Sequence, residues 1–263
     1  MPAGFAHDSF GKIVYKELPD AMRLRLGIYQ DQFRFGLQGP DVLFHYNLTS
    51  YNRVNTRGVE IHKEPARKLF EPAVQYCKEN GIDNSLYGYM MGCVCHFALD
   101  SAAHPYVNAS VDELGVSHSE IESEFEKYLL KKAGRDPHRY SISRLIPKDR
   151  ETAKAMQIMY HDFTEKEMMR AMKDMSLIRN VLVAPSNMKK KTILTFMHVT
   201  GHYDEIQGQV LRFKDNPICE ETNKRLFEIY KEAVPDAVSM ILNVHQSIFA
   251  DLPLSERFDR AFD

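Results

Sequence analysis

Apolar residues recur along this chain with the spacing of an α-helix, and runs that alternate in the manner of a β-strand are rare. Ser117 and Thr164 each precede a glutamate at the third position, which matches the capping box of a helix start. Amphipathic patterns predict helices over 164–179, 186–203 and 220–249. The pattern therefore predicts an all-α fold.

The segment 86–103, LYGYMMGCVCHFALDSAA, is apolar on all sides, as expected of a helix surrounded by other helices. Positions four apart lie along one slowly turning row of a helix. Here that row contains two glycines followed by three polar residues: Gly88, Gly92, His96, Asp100 and His104. Because the residue before a proline disfavours the helical conformation, we expect Pro105 to end this helix at His104.

Two imidazoles and a carboxylate at this spacing can converge on a divalent metal from one helix face. Zinc is held in proteins by histidine nitrogen and carboxylate oxygen. An alternative is a buried hydrogen bond between His96 and Asp100, with His104 at the surface. Burying Asp100 without a partner would cost several kcal/mol, and a metal ion would offset that cost.

A second pair of candidate ligands follows within the next helix. His118 and Glu122 are four residues apart and share a stripe with Phe125 and Leu129. Four charged residues are expected to lie off this stripe: Glu120, Glu124, Glu126 and Lys127. A glutamate in a stripe that faces the core needs a partner, and a metal supplies one. The alternative is a partly exposed Glu122 and a histidine in the first helical turn.

Composition narrows the class of protein. The chain has 263 residues, and its 34 Lys and Arg against 36 Asp and Glu give a net charge of −2. Hydrophobic residues make up 44%, which argues against intrinsic disorder. A general nucleic-acid-binding protein would carry a basic surplus, which is missing here. The remaining class is a globular protein with a real core.

The cysteines and the N-terminal sequence bear on the cellular compartment. Four cysteines do not form a disulfide scaffold in a chain of this size, and Cys93 and Cys95 would point to different sides of a helix. Buried, reduced thiols are expected. Neither a secretory signal pattern nor an apolar run of about 18 residues is evident. These features predict a soluble, cytoplasmic protein without a transmembrane segment.

Three upstream motifs join the two histidine–carboxylate patterns: AHDSFG with His7, QGPDVLF with Asp41, and GVEIH with His62. With HFALDSAAHPY and SHSEIE, they occur in an order that resembles the zinc-dependent phospholipase C family, whose fold is shared with zinc-dependent single-strand nucleases. The motifs lie within residues 1–130. Residues 131–263 are expected to complete one helical-bundle domain that spans 1–263.

The resemblance implies up to three zinc ions and assigns their ligands by position. The first zinc would be held by Asp41, His62, His96 and Asp100, and the second by His104, His118 and Glu122. Asp100 would bridge to a third zinc that is also held by His7 and the N-terminal amine. Two ions are expected. The presence of a third ion stays open, because the family's N-terminal tryptophan has no counterpart in this chain. For the first zinc, His45 is an alternative ligand to His62.

The function implied by the resemblance is metal-dependent hydrolysis of phosphoric esters. A zinc-activated water would attack phosphorus in line, and Asp41 would orient or deprotonate that water. The substrate would be a phospholipid or a small phosphoester. A nuclease or small-molecule phosphodiesterase on the same fold is an alternative, with nucleic acid only as substrate. A second alternative is a non-catalytic binding module stabilised by metal. The oligomeric state stays open.

Overall fold

The computed structural model describes residues 4–47, 52–81, 85–199 and 210–263, in which there is no β-strand. The all-α prediction is confirmed. Short 3-10 helices span Ile142–Leu145, Pro217–Cys219 and Glu256–Asp259. The α-helices, in chain order, are α1 (Gly4–Glu17), α2 (Asp20–Ile28), α3 (Gln30–Gly36), α4 (Asp41–Phe44), α5 (Arg53–Lys63), α6 (Arg67–Asn80), α7 (Ser85–Leu114), α8 (His118–Lys132), α9 (Arg150–Met159), α10 (Glu165–Leu182), α11 (Asn187–Val199) and α12 (Glu220–Phe249).

Helix α7 is the central element, and its residues from Leu86 to Ser101 are all buried. It packs most extensively against α3 and α12. Two glycines permit the close approach to α3. A Cβ on Gly92 would lie 2.1 Å from the carbonyl oxygen of Phe33, and one on Gly36 would lie 2.1 Å from that of Tyr89. Gly92 of the row therefore serves helix packing, together with Gly36 on α3.

The expectation that α7 ends at His104 is wrong, because the helix continues through Pro105 to Leu114. Val107 and Ser110 are buried beyond the proline, which is itself exposed. Proline removes one backbone hydrogen bond. Burial of the following turn against the core outweighs that local preference here.

Other helix predictions agree with the structure in most respects. Thr164 forms a complete capping box with Glu167, whereas at Ser117 only the serine half is present. The side chain of Glu120 instead accepts hydrogen bonds from Arg212 and Asn216. Helix α12 has the predicted bounds. Helix α11 covers most of 186–203, but its predicted last residues, 200–203, lie outside the described residues.

The stripe predicted for α8 is only part of its buried surface. Glu124, Glu126 and Lys127, which lie off the stripe, are also buried. The reason is that α8 is packed by α1, α7 and α12 and by the 3-10 helix that precedes α12. Each of these charged side chains has polar partners inside the fold.

One hydrophobic core includes side chains from Phe5 to Phe262. All four cysteines are buried, as expected, and burial raises the pKa of the Cys93 thiol to about 12. Among the described helices, none combines the length and the hydropathy needed to cross a bilayer. Side chains of α1, α4, α5, α7 and α8 all contribute to this core, and the same five helices surround one group of polar side chains.

Candidate metal centre

The eight candidate ligands predicted from the sequence lie together at the junction of α1, α4, α5, α7 and α8. Seven are buried, and His118 is half-buried. Their ligand atoms form three groups, and within each group these atoms lie within 4.8 Å of one another. The groups are Asp41–His62–His96, His7–His96–Asp100 and His104–His118–Glu122. Five distant stretches of chain thus converge at one place.

In the first group, the Asp41 carboxylate faces two imidazoles. Its Oδ1 lies 3.2 Å from Nε2 of His62 and 3.8 Å from Nε2 of His96. The last turn of α5 fixes the His62 ring, because its Nδ1–H donates to the carbonyl oxygen of Gly58 at 2.7 Å. That bond leaves Nε2 directed at Asp41. Both rings therefore present the same nitrogen to one carboxylate.

His45, the alternative to His62, lies differently. Its Nδ1 is 3.0 Å from the backbone oxygen of Asp41, so the ring contacts the peptide group and not the carboxylate. Burial, together with the charge of Arg179, lowers the pKa of His45 to about 3. The geometry therefore favours His62 as the imidazole of this group.

In the second group, Asp100 links two histidines. Its Oδ1 is 3.2 Å from Nε2 of His7, and its Oδ2 is 3.0 Å from Nε2 of His96. The two imidazole rings stack with their centroids 4.2 Å apart. Burial raises the pKa of Asp100, but the charges of His96, His104 and His7 outweigh it and hold that pKa well below its usual value. The carboxylate is therefore ionised.

Buried atoms of this group fit a bound cation. Within the described residues, Nδ1 of His7, Nε2 of His96 and Oδ2 of Asp100 are buried without a hydrogen-bond partner, although the last two atoms are only 3.0 Å apart. Leaving such a group unsatisfied costs about 1–3 kcal/mol. Imidazole nitrogen and carboxylate oxygen are the donors that zinc takes. A divalent metal ion would satisfy Nε2 of His96 and Oδ2 of Asp100 together.

The third group lies one helical turn further along α7. Oε1 of Glu122 is 3.0 Å from Nε2 of His118 and 3.4 Å from Nε2 of His104. Although burial opposes it, hydrogen bonding from these histidines lowers the pKa of Glu122 to about 2. Burial lowers the pKa of His104, but the nearby carboxylates of Asp100, Asp263 and Glu122 outweigh it and raise that pKa to about 11. Without metal, this group is therefore a charged network.

A cleft of about 30 Å³ borders the second and third groups. Its polar wall is formed by His7, Asp100, His104 and Glu122, and side chains such as Leu99 and Phe125 form the apolar remainder. This volume holds about one water molecule. Two groups of candidate ligands thus border the same small space.

The glycine of the QGPD motif has a specific role beside His96. Gly39 has a φ of +50°, and a Cβ there would lie 2.3 Å from Cδ2 of the His96 ring. On the same turn, the carbonyl oxygen of Leu37 accepts a hydrogen bond from Nδ1 of His96 at 3.2 Å. The loop before Asp41 therefore fixes an imidazole that belongs to two groups.

We expect Gly39→Ala to lower the metal content of the purified protein, because the new methyl group would displace the His96 ring. Gly134→Ala is the matched control, since Gly134 also has a positive φ, +67°, but a Cβ there would meet nothing within 4 Å. Both changes should cost about 1 kcal/mol of backbone strain. Elemental analysis of both variants checks this. Equal metal loss in the two would contradict a role for the His96 contact.

Sequence reasoning missed Glu126, which holds the first turn of α1. Its carboxylate accepts hydrogen bonds from the backbone amides of Phe5 at 2.7 Å and Ala6 at 2.9 Å. Burial raises the pKa of Glu126 to about 7, against the opposing effect of those amides and of Arg179. Because His7 follows Ala6, Glu126 also holds the backbone of a candidate ligand.

Arg179 was missed as well. It is buried on α10. Burial lowers the pKa of Arg179, and the charges of Asp41, Glu126 and Glu122 oppose that shift. The sequence carried a signal for it, because Arg179 occupies the same apolar face as Met168, Met172 and Met175. A cation on such a face indicates buried anions nearby.

Comparison with known proteins adds to this geometry. Neither a search of curated proteins nor a search of solved structures returned a match. A sequence model described as zinc dependent phospholipase C matches residues 6–176, which is more than half of the chain and includes all eight candidate ligands. The resemblance predicted from the motifs is thereby confirmed. The chain belongs to the zinc-dependent phospholipase C family.

Proposed function

We propose that the chain hydrolyses phosphoric esters with bound zinc at this centre. The observation that carries the proposal is the bridging position of Asp100. Asp100 presents one oxygen to His96, which also belongs to the first group, and the other oxygen to His7. A carboxylate placed in this way can bridge neighbouring ions, as a two-metal phosphoesterase requires.

The side chains assigned to the metal are held in one orientation each. His62, His96 and His118 donate their Nδ1–H groups to oxygen atoms of Gly58, Leu37 and Asn108, respectively. This fixes Nε2 as the nitrogen available to a metal. The half-exposed His118 also leaves one side of the third group open, which supports catalysis over a closed structural site.

Zinc held by the first and third groups would supply a Lewis acid that lowers the pKa of a water molecule and neutralises charge on the phosphoryl oxygens. Asp41 orients this water for in-line attack on phosphorus and accepts one of its protons. The bond from phosphorus to the alcohol oxygen breaks, and the proton passes to the departing alcohol. The low exposure of Asp41, 3%, limits competing bulk water. His7 and Asp100 would hold a third ion only with a further ligand. The N-terminal amine that the resemblance assigns to this role lies outside the described residues.

The family suggests a phosphoester substrate, and we propose a phospholipid first. The test is to measure zinc content and to assay phosphatidylcholine, bis-p-nitrophenyl phosphate and single-stranded DNA side by side. We expect at least two zinc equivalents and release of a phosphorylated headgroup. Chelation should abolish activity and added zinc should restore it. One zinc equivalent with no hydrolysis of any substrate would contradict the proposal and favour the binding module.

A further inference from the structure

The last described residues, 254–263, form a strap that crosses the site between α5 and α7. The strap is anchored by two buried phenylalanines. Phe258 packs on Phe70 and Phe97, with ring centroids 5.1 and 5.8 Å apart, and Phe262 packs on Phe97 at 4.8 Å. The backbone amide of Phe262 donates to the carbonyl oxygen of His62 at 3.1 Å. The strap is therefore part of the core around the centre.

Phe262 also contacts the imidazoles of the first group. Its ring centroid is 5.4 Å from that of His62 and 6.0 Å from that of His96. Phe262 is fully buried. The ring thus packs against both imidazoles of the first group, and it brings residue 263 beside α7.

The strap supplies the partners of His104. Nδ1 of His104 lies 2.9 Å from the carbonyl oxygen of Phe262 and 3.1 Å from Oδ1 of Asp263. Both are acceptors, so Nδ1 must carry the proton, and Nε2 is directed at Glu122. For His62, His96 and His118, the corresponding acceptor lies within the part of the chain that matches the family. For His104, the acceptors are Phe262 and Asp263, which lie beyond the part of the chain that matches the family.

We propose that Asp263 is a positioning residue for the metal held by His104, His118 and Glu122. Its carboxylate fixes the tautomer and orientation of His104 and raises the electron density on Nε2, in the manner of a carboxylate–histidine–metal triad. The inference rests on the proposed metal centre. Asp263 lies outside the part of the chain that matches the family. It tunes the affinity of the ion held by the third group and leaves the affinity of the other ion unchanged.

The test is zinc affinity, measured by competition with a chromophoric chelator. Partners of this kind are worth about 10- to 100-fold in metal affinity. We therefore expect Asp263→Ala to weaken one zinc site by about tenfold or more and to leave the other unchanged. Asp263→Asn should lie between, because its amide oxygen still accepts the Nδ1 proton. Asp263 is half-exposed, so neither variant should disturb folding.

Asp259→Ala is the matched control, because Asp259 belongs to the same strap but its carboxylate binds Arg67 at the surface. It should leave zinc affinity and the visible absorption of the cobalt-substituted protein unchanged, whereas Asp263→Ala should shift that absorption. Equal effects of the two variants, or zinc affinity within about twofold of wild type in Asp263→Ala, would overturn the inference. A wild-type protein that binds no zinc would instead overturn the proposed function.

Discussion

Replacing His96 with alanine is expected to remove one zinc equivalent and to lower the phosphoesterase activity by more than about a hundredfold. The ligand atom of His96 lies in two of the three groups of candidate ligands. Loss of a partner beyond the first coordination shell already costs about 10- to 100-fold, so loss of a ligand itself should exceed that range. Elemental analysis and hydrolysis of bis-p-nitrophenyl phosphate measure the two effects.

Glu122→Ala provides the comparison, because Glu122 belongs to the third group alone. This variant should lose one zinc equivalent and keep the other, while activity falls because the two ions act together. His161→Ala is the control, since its side chain is 62% exposed and lies outside all three groups. A His96→Ala protein that keeps full metal and full turnover would contradict the assignment of the centre.

Much of the candidate site could be predicted because its residues lie on helices at short spacing. His96, Asp100 and His104 share a helix face by periodicity alone, as do His118 and Glu122. Placing His7, Asp41 and His62 beside them needed the family resemblance. No local pattern connects these three residues to α7. Their proximity depends on how α1, α4 and α5 pack.

The residues that the sequence did not reveal act over long distances in the chain. Glu126 contacts the backbone amides of α1, and Asp263 contacts His104, and neither contact leaves a periodic signal. The prediction that α7 ends at His104 was wrong for a related reason. Pro105 is a local signal, and tertiary burial of Val107 overrode it. Local rules thus located the candidate ligands on α7 and α8, and the partners that orient them required the folded structure.

A second large effect is expected for stability, at the buried ion pair on the other side of α8. Nζ of Lys127 lies 2.7 Å from Oε1 of Glu124, and both side chains are nearly inaccessible to solvent. Nζ also donates to the carbonyl oxygens of Arg212 and Lys214. Lys127→Met should lower the free energy of unfolding by about 3–5 kcal/mol, because it leaves the Glu124 carboxylate buried without its cation. Chemical denaturation measures the loss.

Two comparisons separate this effect from a general loss of charge on α8. Lys131, one turn later, binds Asp215, but about half of its side chain is exposed. Lys131→Met should therefore cost less than about 1 kcal/mol. Adding Glu124→Gln to Lys127→Met should restore part of the stability, because the neutral amide is cheaper to bury and its oxygen can still accept the amide proton of Asn216. If the double variant is no more stable than Lys127→Met, the cost arises from lost packing and not from the uncompensated carboxylate.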